Sequence, residues 1–274
     1  MNISTNIQSS IVVRLEDVTK RFFPGTANEV VALDRISFEI YAGEWLYVLG
    51  GNGCGKSTLL RAISGQYHPE EGRVVHRDNG RSAIHFIESG SHQDLIPSMT
   101  IYENLMLVNT ERGRIPRLRN YHNKNHEIRF VKALSMFGLG LEKRLSDQVV
   151  GLSGGQQQAV VAAKALLSSP TILLLDEFTS ALDKKAAPTI LRILRDHCRT
   201  NGITVIAVTH DYHWIDDTAD RVVLMEAGKV IEIISRGEKS DVTGQASDGR
   251  RQIMQTTVNK FTTEILMERL YGPR

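Results

Sequence analysis

The stretch that decides the fold is Trp45-Leu46-Tyr47-Val48-Leu49-Gly50-Gly51-Asn52-Gly53-Cys54-Gly55-Lys56-Ser57-Thr58. Its first five residues are apolar and read as a short strand. The next six are rich in glycine and read as a loop. Leu59, Leu60 and Ile63 then recur at helical spacing, which predicts a helix over Lys56–Ser64. Positions 50–57 match G-x-x-x-x-G-K-[ST], with Gly50, Gly55, Lys56 and Ser57 at the fixed places. A nucleoside triphosphate carries dense negative charge. Glycines let backbone N–H groups turn inward around it, and the following helix presents its positive end. Lys56 is placed to reach the β- and γ-phosphates and Ser57 to ligate Mg²⁺. A chance match is the alternative, and a strand before the loop with a helix after it argues against one.

Outward from this unit, β-branched runs at Ile11–Val18 and Val30–Ile40 predict strands parted by a Pro24-Gly25 turn. Ala83–Ile87 reads as another strand. From residue 100 the pattern turns helical, at Ile101–Val108 and Ile128–Phe137, with the polar, basic stretch Arg112–Lys124 between them. That stretch reads as a solvated loop, with a membrane-surface role as the alternative. Thr171–Leu175 is short, apolar and fit for a strand buried on both faces. A helix (Ala187–Cys198) and strands at Ile203–Val208, Arg221–Met225 and Lys229–Ile234 follow. Alternating strands and helices predict an α/β core with a mostly parallel sheet. An N-terminal antiparallel β subdomain and an inserted helical subdomain at about residues 90–160 complete it. The main domain is expected over 11–234 and an extension over 235–274. In that extension Val258, Phe261, Ile265, Leu266 and Leu270 suggest one face of a docked terminal helix.

The 274 residues allow a full core. Lys and Arg number 33 against 31 Asp and Glu, a net charge of +2, too balanced to argue for a nucleic-acid partner. No window of 18 apolar residues is present, so a membrane span is not expected. The opening MNISTNIQSS has neither the basic start nor the apolar run of a secretory signal. Two cysteines, Cys54 and Cys198, lack metal-type spacing and fit a reducing compartment.

Two further features bear on chemistry. Ile172–Leu175 ends in Asp176-Glu177, and in open α/β sheets ligands sit at the carboxyl ends of the strands. Asp176 is therefore a candidate Mg²⁺ holder. Glu177 is a candidate to orient or deprotonate an attacking water. The alternative is a solvated strand end leading into a helix. Upstream, Leu152-Ser153-Gly154-Gly155-Gln156 opens a helix through Ala159–Leu167. It reads as a second anion-binding helix start or, more plainly, as a helix with a Ser cap.

The ordered set runs from the cradle through LSGGQ and LLLLDE to Ser180-Ala181-Leu182-Asp183 and Val208-Thr209-His210. It resembles the nucleotide-binding subunits of ATP-binding cassette (ABC) transporters over residues 11–234. The resemblance implies a P-loop NTPase core and an ATPase that works as a head-to-tail dimer of two copies. The backbone of Gly50, Gly51, Asn52, Gly53, Cys54, Gly55, Lys56, Ser57 and Thr58 would hold the phosphates in cis. Ser153, Gly155 and Gln156 would meet the γ-phosphate and ribose of the other copy's ATP. Asp176 resembles the Mg²⁺ acid, Glu177 the catalytic carboxylate and His210 the switch histidine. Asp183 resembles the loop acid that communicates across the dimer. Phe22 holds the position of the aromatic that stacks on adenine, with Phe23 as its rival.

One departure stands out. The family ends the strand before its helical subdomain in Phe-Gln, whereas this chain reads Phe86-Ile87-Glu88, with Gln93 further on. Glu88 is expected at the metal-reaching position, and Gln93 fills it if the loop has slipped. The resemblance further implies ATP and Mg²⁺ as ligands and integral membrane permease subunits as partners, with import favoured. A solute-binding protein is a further expected partner. Location at the inner face of the cell membrane follows from the same resemblance. Lys20–Val30 and Pro97–Asn104 are similar to a branch of uptake ATPases often assigned to aromatic amino acids or related small solutes. The alternative is a soluble ATPase of this type serving a cytosolic assembly system.

Overall fold

The computed structural model describes residues 10–78, 83–88, 94–109, 123–180, 182, 186–237, 254–258 and 260–272. Its centre is β3 (Trp45–Gly50), buried along its whole length. Side chains alternate across a strand, so β3 feeds two cores. Trp45, Tyr47 and Leu49 enter one, and Leu46 and Val48 the other. β6 (Ile172–Asp176) divides in the same way, Leu173 and Leu175 against Ile172 and Leu174. Each such leucine contributes on the order of 2 kcal/mol by leaving water. This explains the unbroken apolar runs.

Seven strands form the main sheet in the order β10-β9-β8-β3-β7-β6-β5. The additional strands are β5 (Ile84–Ile87), β7 (Thr204–Val208), β8 (Arg221–Glu226), β9 (Lys229–Arg236) and β10 (Met254–Val258). All pairs are parallel except the β8–β9 hairpin. A second sheet, β2-β1-β4, joins β1 (Ile11–Phe22), β2 (Val30–Tyr41) and β4 (Glu71–His76) in antiparallel fashion. Helix α1 (Lys56–Ser64) is packed in the core shared by the two sheets. On the other face lie α2 (Ile101–Met106), α3 (Lys124–Ser135), α4 (Gly154–Leu167) and α5 (Ala186–Thr200). Helix α2 starts with a capping box between Thr100 and Glu103, and α4 with one between Ser153 and Gln156. The described part of residues 94–160 is helical apart from turns and one isolated bridge, Thr100 with Gln148. Most of the basic stretch lies outside the described residues.

At the amino end of β3, Arg221 Nη1 donates to both oxygens of Glu44, each at 3.1 Å. Burial holds the Glu44 carboxyl above the usual carboxylate range, and the Arg221 charge opposes that. The guanidinium also lies 4.9 Å from the Tyr41 ring centre.

The tail corrects the sequence reading. Val258 belongs to β10, which pairs with the edge of β9, and Phe261 precedes helix α7 (Thr263–Tyr271). Only Ile265, Leu266 and Leu270 of the expected stripe are helical. The unpaired edge of β9 offers backbone partners that a local pattern cannot show. Phe261 is fully buried under Arg236 and donates its N–H to Asp216. The segment thus packs into the same core as the sheet. No helix among the described residues is long and apolar enough to cross a membrane.

Candidate active site

Parallel register brings the candidate residues to one edge. Val48 pairs with Val208, Asp176 with Val208, and Ile87 with Leu175. The residues just past these strand ends are the cradle after β3, His210 after β7, Glu177 after β6 and Glu88 after β5. All four lie at the carboxyl ends of neighbouring strands, where open α/β sheets place their ligands.

The cradle is shaped by two crowded glycines. A Cβ on Gly55 (φ 106°) would sit 2.2 Å from the Ala32 carbonyl oxygen. One on Gly50 (φ 157°) would sit 2.2 Å from that of Met225 and 2.6 Å from Cys54 Sγ. Only glycine tolerates both contacts, which fixes the loop's path. Helix α1 begins at Gly55 with no side-chain cap, and the first N–H groups of a helix have no intrahelical acceptor, so the loop can present them to an anion. Lys56 is buried, and its Nζ donates to the Gly50 and Gly51 carbonyls at 2.9 Å each. The ammonium is thus curled onto the loop it was expected to reach across. Cys54 packs into the core, where burial pushes its thiol up, and its Sγ lies 4.0 Å from Lys56 Nζ.

Asp176 is 1% exposed, and neither carboxylate oxygen reaches a partner with full hydrogen-bond geometry. Burial drives its carboxyl above the usual carboxylate range. The nearby Ser57 hydroxyl offsets part of that, and Glu177 adds to it. A buried carboxylate with free lone pairs beside a hydroxyl suits a hard divalent cation, and Mg²⁺ is bound through one or two such groups plus phosphate and water. Among the described residues no three His, Cys, Asp or Glu converge on one point. Asp176 and Ser57 would therefore hold Mg²⁺ with ligand and water completing its shell.

Glu177 has a left-handed backbone (φ 50°), unusual for a non-glycine residue. Its N–H donates to the Val208 carbonyl, tying the end of β6 to the end of β7. This brings its Oε1 to 3.0 Å from His210 Nε2. Glu88, by contrast, is engaged on the other side. Its Oε2 lies 3.4 Å from Arg61 Nη2, and its Oε1 accepts from Gln66 Nε2 at 3.0 Å. Phe22 sits outside both cores, edge-on to Tyr67 with ring centres 5.6 Å apart. Phe23 is 67% exposed with a left-handed backbone.

Ser153 and Gln156 satisfy each other at the start of α4. Ser153 Oγ accepts from the Gln156 N–H, and Gln156 Oε1 accepts from the Ser153 N–H. Gly155 lies between them in the first turn. Asp183 and Gln93 lie outside the described residues. The sequence reading missed Arg61, Gln66 and Tyr67. Arg61 had a signal: it follows Ser57 by four residues on a helix, hence on the same face.

The profile of the ABC transporter family matches residues 33–180. The chain is 36% identical over 232 residues to the methionine import ATP-binding protein MetN of Cupriavidus pinatubonensis. That match covers 81% of this chain and 64% of the relative. It is 33% identical over 271 residues to the MetN of Bacillus subtilis, covering 94% of this chain and 76% of the relative. The chain spans 64% of the length of the first relatives matched, less than two thirds. Among solved structures, the ATP-binding cassette MJ0796 in a dimeric post-hydrolysis state bound to ADP and Pi matches with a TM-score of 0.70 and 30% identity. That match covers 82% of this chain and 99% of the other.

Proposed function

The chain belongs to the ABC transporter family, and from that premise we propose that it is the ATP-binding and ATP-hydrolysing subunit of an importer. The observation that carries this is the meeting of the cradle, the orphaned Asp176 carboxylate and the Glu177–His210 pair at neighbouring strand ends. The chain would work as a pair of copies docked on integral membrane permease subunits at the inner face of the membrane. Its cargo would be a small solute, with methionine the first to test because relatives carry that name. A solute-binding protein would deliver it.

The residues assign the steps. ATP enters the cradle, and Lys56 exchanges the Gly50 and Gly51 carbonyls for phosphate oxygens. Phe22 offers a ring to the base, backed by Tyr67. Ser57 and Asp176 would hold Mg²⁺, which would supply charge neutralisation on the phosphates. Glu177 accepts the proton of a water attacking the γ-phosphorus, and the bond to the ADP oxygen breaks. His210, 3.0 Å away, would hold Glu177 in place, and would meet the γ-phosphate. Ser153, Gly155 and Gln156, with Asp183, complete the pocket of the second copy. ATP thereby favours the closed pair over the open one.

Size-exclusion chromatography of Glu177→Gln tests this. The variant should bind ATP, release little phosphate and elute as a dimer only with Mg²⁺ and ATP. Full phosphate release by that variant, or by a strictly monomeric preparation of the native chain, overturns the assignment.

A further inference from the structure

Glu88 poses a problem for this reading, on which the inference rests. A carboxylate at a strand end next to Asp176 adds negative charge where a cation and a triphosphate must share space. Ile87 pairs with Leu175, so Glu88 and Asp176 leave neighbouring strands side by side. Yet Glu88 is not left bare. Arg61 Nη2 lies 3.4 Å from one oxygen, and Gln66 donates to the other at 3.0 Å. Both side chains of the ion pair are about 30% exposed, at 30% and 29%. Arg61 sits in the last turn of α1, the helix whose first turn carries Lys56 and Ser57. Its guanidinium carbon is also 5.8 Å from the Tyr67 ring centre, and Tyr67 contacts Phe22. One guanidinium therefore lies between the extra carboxylate and Tyr67, the ring that packs on Phe22.

We propose that Arg61 is a positioning residue that makes glutamate workable at this place. It holds Glu88 as a neutralised, fixed acceptor beside Asp176 and, through Tyr67, ties that acceptor to the ring offered to the base. The pair stands in for a neutral amide, so the phosphates and Mg²⁺ meet no net added charge.

The test is a double-substitution cycle on the full chain, using Arg61→Gln, Glu88→Gln and the two together. The probe is a fluorescent ATP analogue titrated with Mg²⁺ in excess, and a parallel set of urea melts is run without nucleotide. Coupled neighbours interact strongly enough that Arg61→Gln should weaken Mg·ATP binding about five- to tenfold, while the double variant returns to within about twofold of wild type. Glu88→Gln alone should bind at least as tightly as wild type. A purely structural Arg61 would leave the double variant as weak as Arg61→Gln, and that result overturns the proposal. Additive effects in the nucleotide-free melts also overturn it, since the ion pair must couple without ligand. Failure of the wild-type chain to bind the probe instead removes the nucleotide reading itself, while the ligand-free melts still report whether the pair exists.

Discussion

The buried Asp176 carboxylate gives a measurement in which stability and binding move in opposite directions. Both of its oxygens lack well-formed partners, and burial holds its carboxyl above the ordinary range. Leaving a buried polar group unsatisfied costs about 1–3 kcal/mol, more when it is charged. Asp176→Asn removes the charge and keeps the shape, although the amide is itself poorly satisfied there, so about 1–2 kcal/mol should be recovered. For a domain of this size that corresponds to a rise of roughly 3–6 °C in the melting temperature of nucleotide-free protein. The sign with pH follows from the raised native value. Between the ordinary carboxylate pKa and that value the native state binds more protons than the unfolded one, so the wild-type chain loses stability as pH rises. The variant lacks this loss, and its advantage should grow from acid towards neutral pH. With Mg²⁺ and ATP the order should invert. A ligand at a hundred times its Kd stabilises wild type by about 2.7 kcal/mol, and the variant should lose most of that gain. Differential scanning fluorimetry at pH 5 and pH 7.5, with and without Mg·ATP, reads all four states. If the variant melts lower than wild type without ligand, the carboxylate is satisfied internally and the case for a cation against it fails. A full Mg²⁺-dependent shift in the variant refutes it equally.

Other expectations concern distinct parts of the molecule. Arg221→Ala strands the buried Glu44 and should cost about 3–5 kcal/mol in chemical denaturation, with Glu44→Gln in the same chain restoring part of it. His76, with Nδ1 buried and unpartnered, is held below the ordinary histidine value by burial. Its contribution is present above the unfolded value near 6.5 and is lost as pH falls from there through the lower native value, so His76→Gln should flatten the stability profile below about pH 7. Ser153→Asp keeps a good helix cap but places a charge where a phosphate of the second copy is expected. Its melting temperature should stay near wild type while ATP-dependent dimerisation disappears, and a dimer that persists would remove Ser153 from the shared pocket.

How much of this was legible varies with how local the cause is. Helix α1 falls over Lys56–Ser64 as read, because glycine starts it and the apolar spacing carries it. The runs that became β3 and β6 were equally plain, since burial on both faces leaves little room for polar residues. β4 and β10 were not legible. Glu71–His76 has only Val74 and Val75 as apolar members, and Met254–Val258 is mostly Gln and Thr. Each forms because a neighbouring strand edge satisfies its backbone, a cause that lies far off in sequence. The same holds within the site. Glu177 and His210 were read separately, and their contact arises from the β6–β7 register. The pairing of Glu88 with Arg61 and Gln66 needed the end of α1 to be placed beside β5.

LSGGQ shows why two readings of one motif need not compete. The plain reading, a serine cap on a helix, is realised: Ser153 and Gln156 bond reciprocally across the first turn. Yet that box uses only the N–H groups of Ser153 and Gln156, the amide oxygen of Gln156 and one lone pair of the Ser153 hydroxyl. The Ser153 hydroxyl proton and the N–H groups of Gly154 and Gly155 are not consumed by it, because the first N–H groups of a helix have no intrahelical acceptors. The cap orients these donors rather than occupying them. A helix start fixed in this way already points its dipole and its free N–H groups at any phosphate brought to it. Local stability and contact with a second copy's ATP are therefore served by different atoms of the same residues.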